Sequence, residues 1–209
     1  MVAGYAAVMG HREDLLEGAK RCLLDKGWTR TTARDIVAAS GANLASIGYH
    51  YGSKEALMME AFIQLTVEWA DGAAPVIASA VDPDAPREDR LAATLDRVTA
   101  GFANDRAFWS AQLEIIGQLV KNPELREKFA AVQPGGREGM VALFEGVDDS
   151  EVGPEATRTV GAFYHALFIG LLTQWLIDPA GAPTGKEIVE GARRALSGAV
   201  LNAPEGPGR

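Results

Sequence analysis

The sequence contains a single cysteine, Cys22, so no intramolecular disulfide can form and a CxxC metal or redox site is excluded. Cys22 lies on an apolar helical face without a neighbouring histidine, which favours a core residue over a reactive thiol. The three histidines, His11, His50 and His165, lie on separate predicted elements and show neither HxxxH nor HExxH spacing. We therefore predict no metal site and no cofactor.

Long apolar runs are also missing. No segment reaches the roughly eighteen uninterrupted apolar residues that a membrane span needs, so we predict no membrane contact. Residues 1–10 are apolar but carry no basic residue, which argues against a secretory signal, and we expect a flexible arm there. The cysteine usage suits a reducing compartment, and a cytoplasmic location is the expectation.

Motifs that would indicate an enzyme are absent from the sequence. It has no glycine-rich phosphate loop, no GxSxG nucleophile turn and no paired-carboxylate motif that stands out. We therefore predict that the protein is not an enzyme.

An excess of basic residues, common in proteins that bind nucleic acids, is absent from the whole chain, whose formal net charge is -8. The charge is unevenly distributed. Residues 1–57 hold seven Lys or Arg against six Asp or Glu, a net +1, whereas residues 58–209 hold thirteen against twenty-two, a net -9. Affinity for DNA depends on local phosphate contacts, so a near-neutral N-terminal part permits DNA binding without indicating it.

The composition favours an all-α fold of one large or two small domains. Apolar residues make up 47% of the 209 residues, and Ala, Leu, Val and Gly outnumber strand-favouring types. Apolar residues recur at helical spacing along most of the chain. The pattern predicts helices over residues 11–26, 33–41, 43–51, 54–70, 87–104, 106–121, 123–144 with a kink or split near Pro134, 155–177 and 184–201.

Two of these helices are short and adjacent. Thr32 and Asp35 stand at capping-box spacing, so the first begins near Ala33, and Gly41 ends it. Asn43 is a good N-cap for the second, which Gly52 ends. Two short helices meeting at a tight turn are the layout of a helix-turn-helix, whose second helix enters a DNA major groove.

The same residues carry a family resemblance. Thr31-Thr32-x-Arg34-Asp35-Ile36, the Gly41-Ala42-Asn43 turn, Ser46-Ile47, Tyr49-His50-Tyr51 and Gly52-Ser53-Lys54-Glu55-Ala56-Leu57 together resemble the DNA-binding segment of TetR-family transcriptional repressors. The resemblance covers residues 11–57. It implies a C-terminal helical domain that binds a small ligand and dimerises.

We predict a DNA-binding site on and around the second short helix. Tyr49, His50 and Lys54 are the leading candidates, since a hydroxyl and an ammonium at a helix end suit phosphates. The first turn reaches base edges, where Leu44 and Ala45 can meet a thymine methyl and Ser46 can hydrogen-bond. The set also includes the cap Asn43 and, at the start of the preceding helix, Thr32 and Arg34. The alternative for Tyr49, His50 and Tyr51 is the core of the small domain.

The predicted domains are a helix-turn-helix domain over residues 1–57, a ligand-binding and dimerisation domain over residues 58–202, and a disordered tail over residues 203–209. A mostly apolar effector would bind among residues that each also fit an ordinary core: Phe102, Trp109, Gln112, Leu113, Ile116, Phe144, His165, Phe168 and Trp175. Residues 155–177 are apolar nearly all round, so they and residues 184–201 are expected to pair with a second copy in a homodimer.

The interpretation is a ligand-responsive transcriptional regulator, a repressor, that binds double-stranded operator DNA as a dimer. The effector would tilt the helix over residues 54–70, which changes the spacing of the two DNA-contacting helices. The alternative is an all-α interaction module, or a small-molecule-binding protein, without a DNA role. That alternative leaves the segment from Tyr49 to Leu57 unexplained.

Overall fold

The structure is a computed structural model that describes the backbone of residues 2–198 and the side chains of residues 11–198. Over that part of the chain it contains helices and no strand, which confirms the all-α fold. The α-helices are α1 Val2–Arg30, α2 Ala33–Ser40, α3 Leu44–Tyr51, α4 Lys54–Ser79, α5 Arg87–Asn104, α6 Arg106–Lys121, α7 Pro123–Glu145, α8 Pro154–Arg158, α9 Val160–Ile177 and α10 Gly185–Ser197. A 3-10 turn, Asp149–Glu151, precedes α8.

The chain packs as two compact units. The first combines the chain up to Ala73 with Ala103–Gly136, and the second combines Ala74–Phe102 with the chain from Arg137 onward. These units group residues by packing, so the functional division after residue 57 remains a prediction. Helix α1 includes residues 2–10, whose side chains are not described, and the flexible arm there also remains a prediction. The predicted tail, residues 203–209, lies outside the described residues.

The short helices α2 and α3 begin and end at the residues that the local sequence indicated. The Thr32 hydroxyl accepts from the Asp35 amide at 3.2 Å, and Asp35 Oδ2 accepts from the Thr32 amide at 2.8 Å, a complete capping box. Gly41 ends α2 in the left-handed region, with φ 72°. The Asn43 side chain then accepts from the Ser46 amide at 3.0 Å, which starts α3.

An apolar core holds these helices against α1 and the start of α4. It is made of side chains that are buried almost completely: Leu15, Leu23, Trp28, Ile36, Ile47 and Leu57. Cys22 is buried in the same core, as expected, and burial raises the pKa of its thiol. Each fully buried aliphatic side chain contributes about 1.5–3 kcal/mol, so this small core is what keeps α2 and α3 in place.

Two prolines do not end the helices that contain them, contrary to expectation. Helix α4 continues past the predicted end at residue 70, through Pro75, to Ser79, and α7 runs unbroken through Pro134. Both prolines are exposed. A proline in a helix frees one carbonyl of the preceding turn, and at an exposed position water can hydrogen-bond to that carbonyl. The predicted split of α7 is therefore wrong.

The apolar stretch predicted as one helix over residues 155–177 is divided in two. Thr159, with φ -99° and ψ -76°, separates α8 from α9, and its hydroxyl donates to the Glu155 carbonyl. By length and composition alone Pro154–Ile177 would suffice to cross a membrane, since an 18-residue stretch of it has a mean hydropathy of 1.5. The expectation concerned uninterrupted apolar runs, and this segment is interrupted by polar residues; the core helix of a soluble protein passes the same test of length and composition.

The close approach of α1 to α2 depends on a glycine and gives a stability prediction. A Cβ at Gly18 would lie 2.8 Å from Ser40 Cβ and 3.1 Å from the Ile36 carbonyl oxygen, whereas one at Gly48 would meet nothing within 4 Å. We expect Gly18→Ala to destabilise the protein by about 1–3 kcal/mol through overpacking. Gly48→Ala, the matched control, should stabilise it by about 0.5–1 kcal/mol. Denaturant unfolding measures both, and equal effects of the two variants would contradict the packing.

Candidate nucleic-acid interface

Helix α3 is held by one face and presents the other to solvent. Ile47 is 4% exposed and packs into the core, whereas Leu44 and Tyr49 are 55% and 78% exposed. Ala45 and Gly48 are exposed on the same outer side. A short rigid helix with an outward face after a tight turn has the shape and width to enter a major groove.

The structure places the predicted DNA-binding residues at different depths. Six of them are exposed: Thr32, Arg34, Asn43, Leu44, Ala45 and Tyr49. His50 and Lys54 are half-buried, and the ring of His50 meets the Tyr49 ring edge-on at 4.8 Å. Ser46 is the exception, because only 9% of it is exposed. Its burial counts against a base contact, although its role in DNA binding remains untested.

Lys54 joins the start of α4 to the segment before α2. Its Nζ donates to the Thr31 carbonyl at 3.0 Å and lies 3.4 Å from Glu55 Oε1. The buried Thr31 hydroxyl in turn donates to the carbonyls of Gly27, at 2.7 Å, and Cys22, at 3.1 Å. Gly27 has φ 77° and ψ 176°, outside the helical region, so the α1 backbone turns there. Gly27–Thr31, which we call the corner, therefore sets where α2 begins.

A carboxylate from α6 also binds the corner, and sequence analysis missed it. Glu114 Oε2 accepts from the Thr29 amide at 2.8 Å, and a Cβ at Gly27 would lie 2.7 Å from Glu114 Oε1. Glu114 is half-buried between apolar neighbours on α6. The one sign of a special role for Glu114 in the local sequence is a charged residue among apolar neighbours. That pattern does not identify its partner, Thr29, which is 85 residues away in the chain.

The capping box is also an electrostatic site. Lys26 Nζ lies 2.6 Å from Asp35 Oδ1, while the Thr32 hydroxyl donates to Asp35 Oδ2 at 2.7 Å. The hydrogen bond from Lys26, followed by those from Thr32, lowers the pKa of Asp35 well below its usual range. The negative charge also lies in the first turn of α2, where the helix dipole favours it.

A buried lysine ties α1 to α4 in the same unit. Lys20 is 8% exposed, and its Nζ lies 2.8 Å from Glu17 Oε1 and 2.6 Å from Glu68 Oε1. A lysine is buried at such a position only when its charge is paired. The pairing therefore fixes α4 against the helix that carries the corner.

The residues predicted to line an effector site are divided between the two units. Four lie in the first unit, and they range from buried to exposed: Trp109, Gln112, Leu113 and Ile116. In the second unit Phe102 contacts Phe168 and Trp175, with ring centroids 5.5 and 5.8 Å apart. Whether these side chains line a cavity remains a prediction.

The other two members of the predicted set, Phe144 and His165, lie on α7 and α9 of the second unit. Phe144 stacks on Tyr164 at 4.7 Å, and the Tyr164 hydroxyl donates to Glu145 Oε1. Burial, and then the hydrogen bond to the charged Glu145, raises the pKa of Tyr164 to about 12. His165 is half-buried, and its pKa is lowered first by burial and then by the charge of Arg137.

Two family models match this sequence, one for each part. Residues 15–61 match the model described as bacterial regulatory proteins of the tetR family. Residues 86–200 match the model described as the C-terminal part of BetI-type transcriptional repressors. The second match alone covers more than half of the 209 residues.

Relatives of known identity and solved structures agree with these matches. The HTH-type transcriptional repressors AcnR of Corynebacterium efficiens and Corynebacterium glutamicum are each 33% identical over 121 residues, 56% of this chain and 55% of theirs. The chain thus spans about half the length of these curated relatives. The solved structure of the multidrug binding protein EbrR complexed with imidazole is similar to this one with a TM-score of 0.61 at 20% sequence identity. The match covers 92% of this chain and 91% of the EbrR chain. A transcriptional regulator from Rhodococcus sp. Rha1 matches with a TM-score of 0.56 at 18% identity, over 91% of this chain and 95% of the regulator's chain. At these identities the solved structures show the fold alone.

The lowered pKa of Asp35 gives a prediction about pH. A carboxyl whose pKa is lower in the folded protein stabilises it above the unfolded pKa, about 3.9, and this contribution is lost as the pH falls through the folded value. We expect Asp35→Asn to reduce the free energy of unfolding at pH 7, and the deficit to shrink steadily below about pH 4. Denaturant unfolding across this range is the measurement. Asp25→Asn, which changes an exposed aspartate of α1, is the control, and a deficit for Asp35→Asn that is independent of pH would refute the electrostatic account.

Proposed function

The chain belongs to the TetR family of bacterial transcriptional regulators, and we propose that it is a repressor that binds operator DNA as a homodimer and is released by a small, mostly apolar effector. The family is non-enzymatic and binds DNA. The observation that carries the proposal is the orientation of α3, with Ile47 in the core and Leu44 and Tyr49 facing solvent. An interaction module without a DNA role would not require this outward face.

The proposed DNA contacts follow from exposure and chemistry. The Tyr49 hydroxyl and the Arg34 guanidinium donate to phosphates, while Thr32 stands at the start of α2, whose free amides favour an anion. Leu44 and Ala45 meet base edges in the major groove, where apolar side chains recognise the thymine methyl. Lys54 is half-buried, donates to the Thr31 carbonyl and lies near Glu55, so at most one of its three donors is left for a phosphate. The buried Ser46 is left out of the proposed base contacts.

The proposed homodimer forms through residues 155–177 and 184–201. In support, α9 and α10 expose large apolar side chains at high fractions: Phe163 at 54%, Ile177 at 79% and Leu196 at 91%. Large apolar side chains exposed on both predicted interface helices are what a dimer contact would cover. A dimer interface also accounts for the high mean hydropathy of Pro154–Ile177 in an intracellular protein. In the DNA-bound dimer the two copies of α3 would lie about 34–36 Å apart, one helical turn of DNA.

The proposed release mechanism couples the effector to the corner. The effector binds more tightly to a state in which α4 is tilted and the two α3 helices no longer match the groove spacing. Lys54 and Glu114 both hold the corner, so movement of α4 or α6 would be transmitted to the start of α2. EbrR is described as complexed with proflavin and with ethidium, which supports a small organic effector for this chain as well.

The direct test uses the DNA that flanks the gene for this protein. Fluorescence anisotropy at several salt concentrations should show tight binding to that DNA and weaker binding to a scrambled duplex, with affinity falling as salt rises. Equal affinity for both duplexes at every salt concentration would count against an operator-binding role.

Two tyrosines two residues apart provide a matched pair of variants. Tyr49→Phe removes an exposed hydroxyl and should weaken operator binding roughly tenfold to hundredfold without lowering stability, as expected for a lost bond to a charged phosphate. Tyr51→Phe removes a hydroxyl that donates to the Arg12 carbonyl at 2.7 Å, so it should reduce stability by about 1 kcal/mol and spare DNA affinity. Anisotropy and thermal unfolding separate the two effects. The opposite pattern would place Tyr49 in the core and Tyr51 on the DNA.

The dimer is tested by a charge on its proposed interface. The wild-type protein should sediment as a dimer at low micromolar concentration, and Phe163→Glu should shift it towards the monomer because a carboxylate would be buried there. Val120→Glu, at an exposed apolar position of α6 (76% exposed), is the control and should leave the dimer intact. A monomeric wild-type protein would rule out the proposed interface.

A further inference from the structure

An arginine of the second unit lies directly against α9. Arg137, on α7, packs its backbone on Gly161: a Cβ there would lie 2.7 Å from the Arg137 carbonyl oxygen and 3.0 Å from Arg137 Cβ. The absence of a side chain at Gly161 is therefore what lets the two helices approach at this point. Arg137 is half-buried, and its Nε is shielded from solvent.

The guanidinium of Arg137 has no partner within the described chain. Its Nε makes no hydrogen bond there, and the side chain forms no ion pair with any residue from 11 to 198. Three arginines of the same unit are paired with carboxylates: Arg87 with Glu145, and Arg193 and Arg194 with Glu190. Leaving a donor of a charged group both buried and unpaired is unfavourable, so its retention calls for a reason.

A shortage of carboxylates does not explain the unpaired arginine. Residues 58–209 carry twenty-two Asp or Glu against thirteen Lys or Arg. Glu145, on the same helix, is engaged by Arg87 and by the Tyr164 hydroxyl. Arg137 is thus held apart from carboxylates in the most acidic part of the chain. This arrangement is what a site for an anion from outside the chain requires.

A second donor lies on the same face of α9. His165 follows Gly161 by four residues, about one helical turn, so both stand on the side that meets Arg137. His165 is half-buried, and burial followed by the charge of Arg137 lowers its pKa, so at neutral pH it is an uncharged imidazole with one N–H donor. The pair offers a planar cation and a neutral donor, and Tyr164, the residue before His165, stacks on Phe144 of α7.

We propose that Arg137 and His165 form an anion subsite that binds the carboxylate of the effector, so that the effector is an organic acid with an apolar body. A guanidinium matches a carboxylate in a two-pronged geometry that a lone ammonium lacks. The apolar body packs on the aromatic side chains of the second unit. This inference rests on the proposed function, because it assigns a chemical class to the effector of the same regulator.

The experiment compares three probes with the same ten-carbon chain and different head groups: decanoate, decanol and decyltrimethylammonium. Titration calorimetry on the full-length protein should show decanoate binding at least about tenfold more tightly than either of the others. Arg137→Met should abolish that preference and leave decanol binding unchanged. Arg126→Met, on the same helix at an exposed position, is the control and should retain the preference.

A ligand-free measurement separates a binding role from a structural one. Because Arg137→Met removes an unpaired buried cation and keeps an apolar stem, its melting temperature without ligand should equal or exceed that of the wild type. Decanoate should raise the melting temperature of the wild type and not that of Arg137→Met. His165→Phe should weaken decanoate binding less than Arg137→Met does, since it removes a neutral donor.

Several outcomes would overturn the subsite. The wild-type protein could bind decanoate and decanol equally, or fail to bind decanoate. The preference for decanoate could also survive in Arg137→Met, or Arg137→Met could dissociate the dimer and still bind decanoate. The last result would assign Arg137 to a carboxylate of a second copy. Operator binding measured on the same preparations separates failure of the subsite from failure of the proposed function. If the protein binds its operator but does not prefer decanoate, only the subsite is rejected.

Discussion

The corner formed by Gly27–Thr31 is the constraint on which the N-terminal part of the protein depends. Helix α1 turns at Gly27, and the buried Thr31 hydroxyl returns to two carbonyls of α1. Lys54 from α4 and Glu114 from α6 bind the backbone of the same few residues. Helix α2 begins immediately afterwards, and α3 follows a tight turn, so the direction of the outward face of α3 is set by what holds the corner.

This arrangement connects stability with regulation. The bonds that fix the corner come from helices outside the helix-turn-helix, and hydrogen bonds of this kind contribute only about 0.5–3 kcal/mol each. A change of that size is comparable to the coupling free energies, about 1–3 kcal/mol, by which effectors shift affinity. The free energy of the bonds that a small movement of α4 or α6 would break is therefore large enough to account for a change in the orientation of α3. The proposed switch needs no unfolding of the small core.

Charge is distributed in keeping with the two proposed roles. The N-terminal 57 residues are nearly neutral, and their exposed donors include Arg34 on α2 and Tyr49 on α3. The remainder carries a net -9, which discourages DNA from binding elsewhere on the protein. Within the described part of that acidic remainder Arg137 is unusual because its Nε is both buried and without a hydrogen-bond partner. In both proposed sites a donor that remains available binds an anion: a DNA phosphate at α3, and the carboxylate of the effector in the second unit.

The sequence by itself determined the features whose interactions are local. The capping box of Thr32 and Asp35, the cap at Asn43 and the left-handed Gly41 all act within four residues, so composition and spacing were enough to place α2 and α3 and to expect an outward Tyr49. The family resemblance rested on the same segment. Helical periodicity also gave the all-α fold and most helix positions.

Only the tertiary structure decided which side chains those helices bury and which distant groups they meet. Ser46 is buried, Lys20 is enclosed between two glutamates, and Glu114 reaches a corner far away in the chain. Pro75 and Pro134 lie inside continuous helices at exposed positions, where water can hydrogen-bond to the carbonyl that each proline leaves free. Burial and long-range pairing depend on the packing of elements distant in sequence, whereas a cap depends on its own turn, and that difference in range separates what was predictable from what was not.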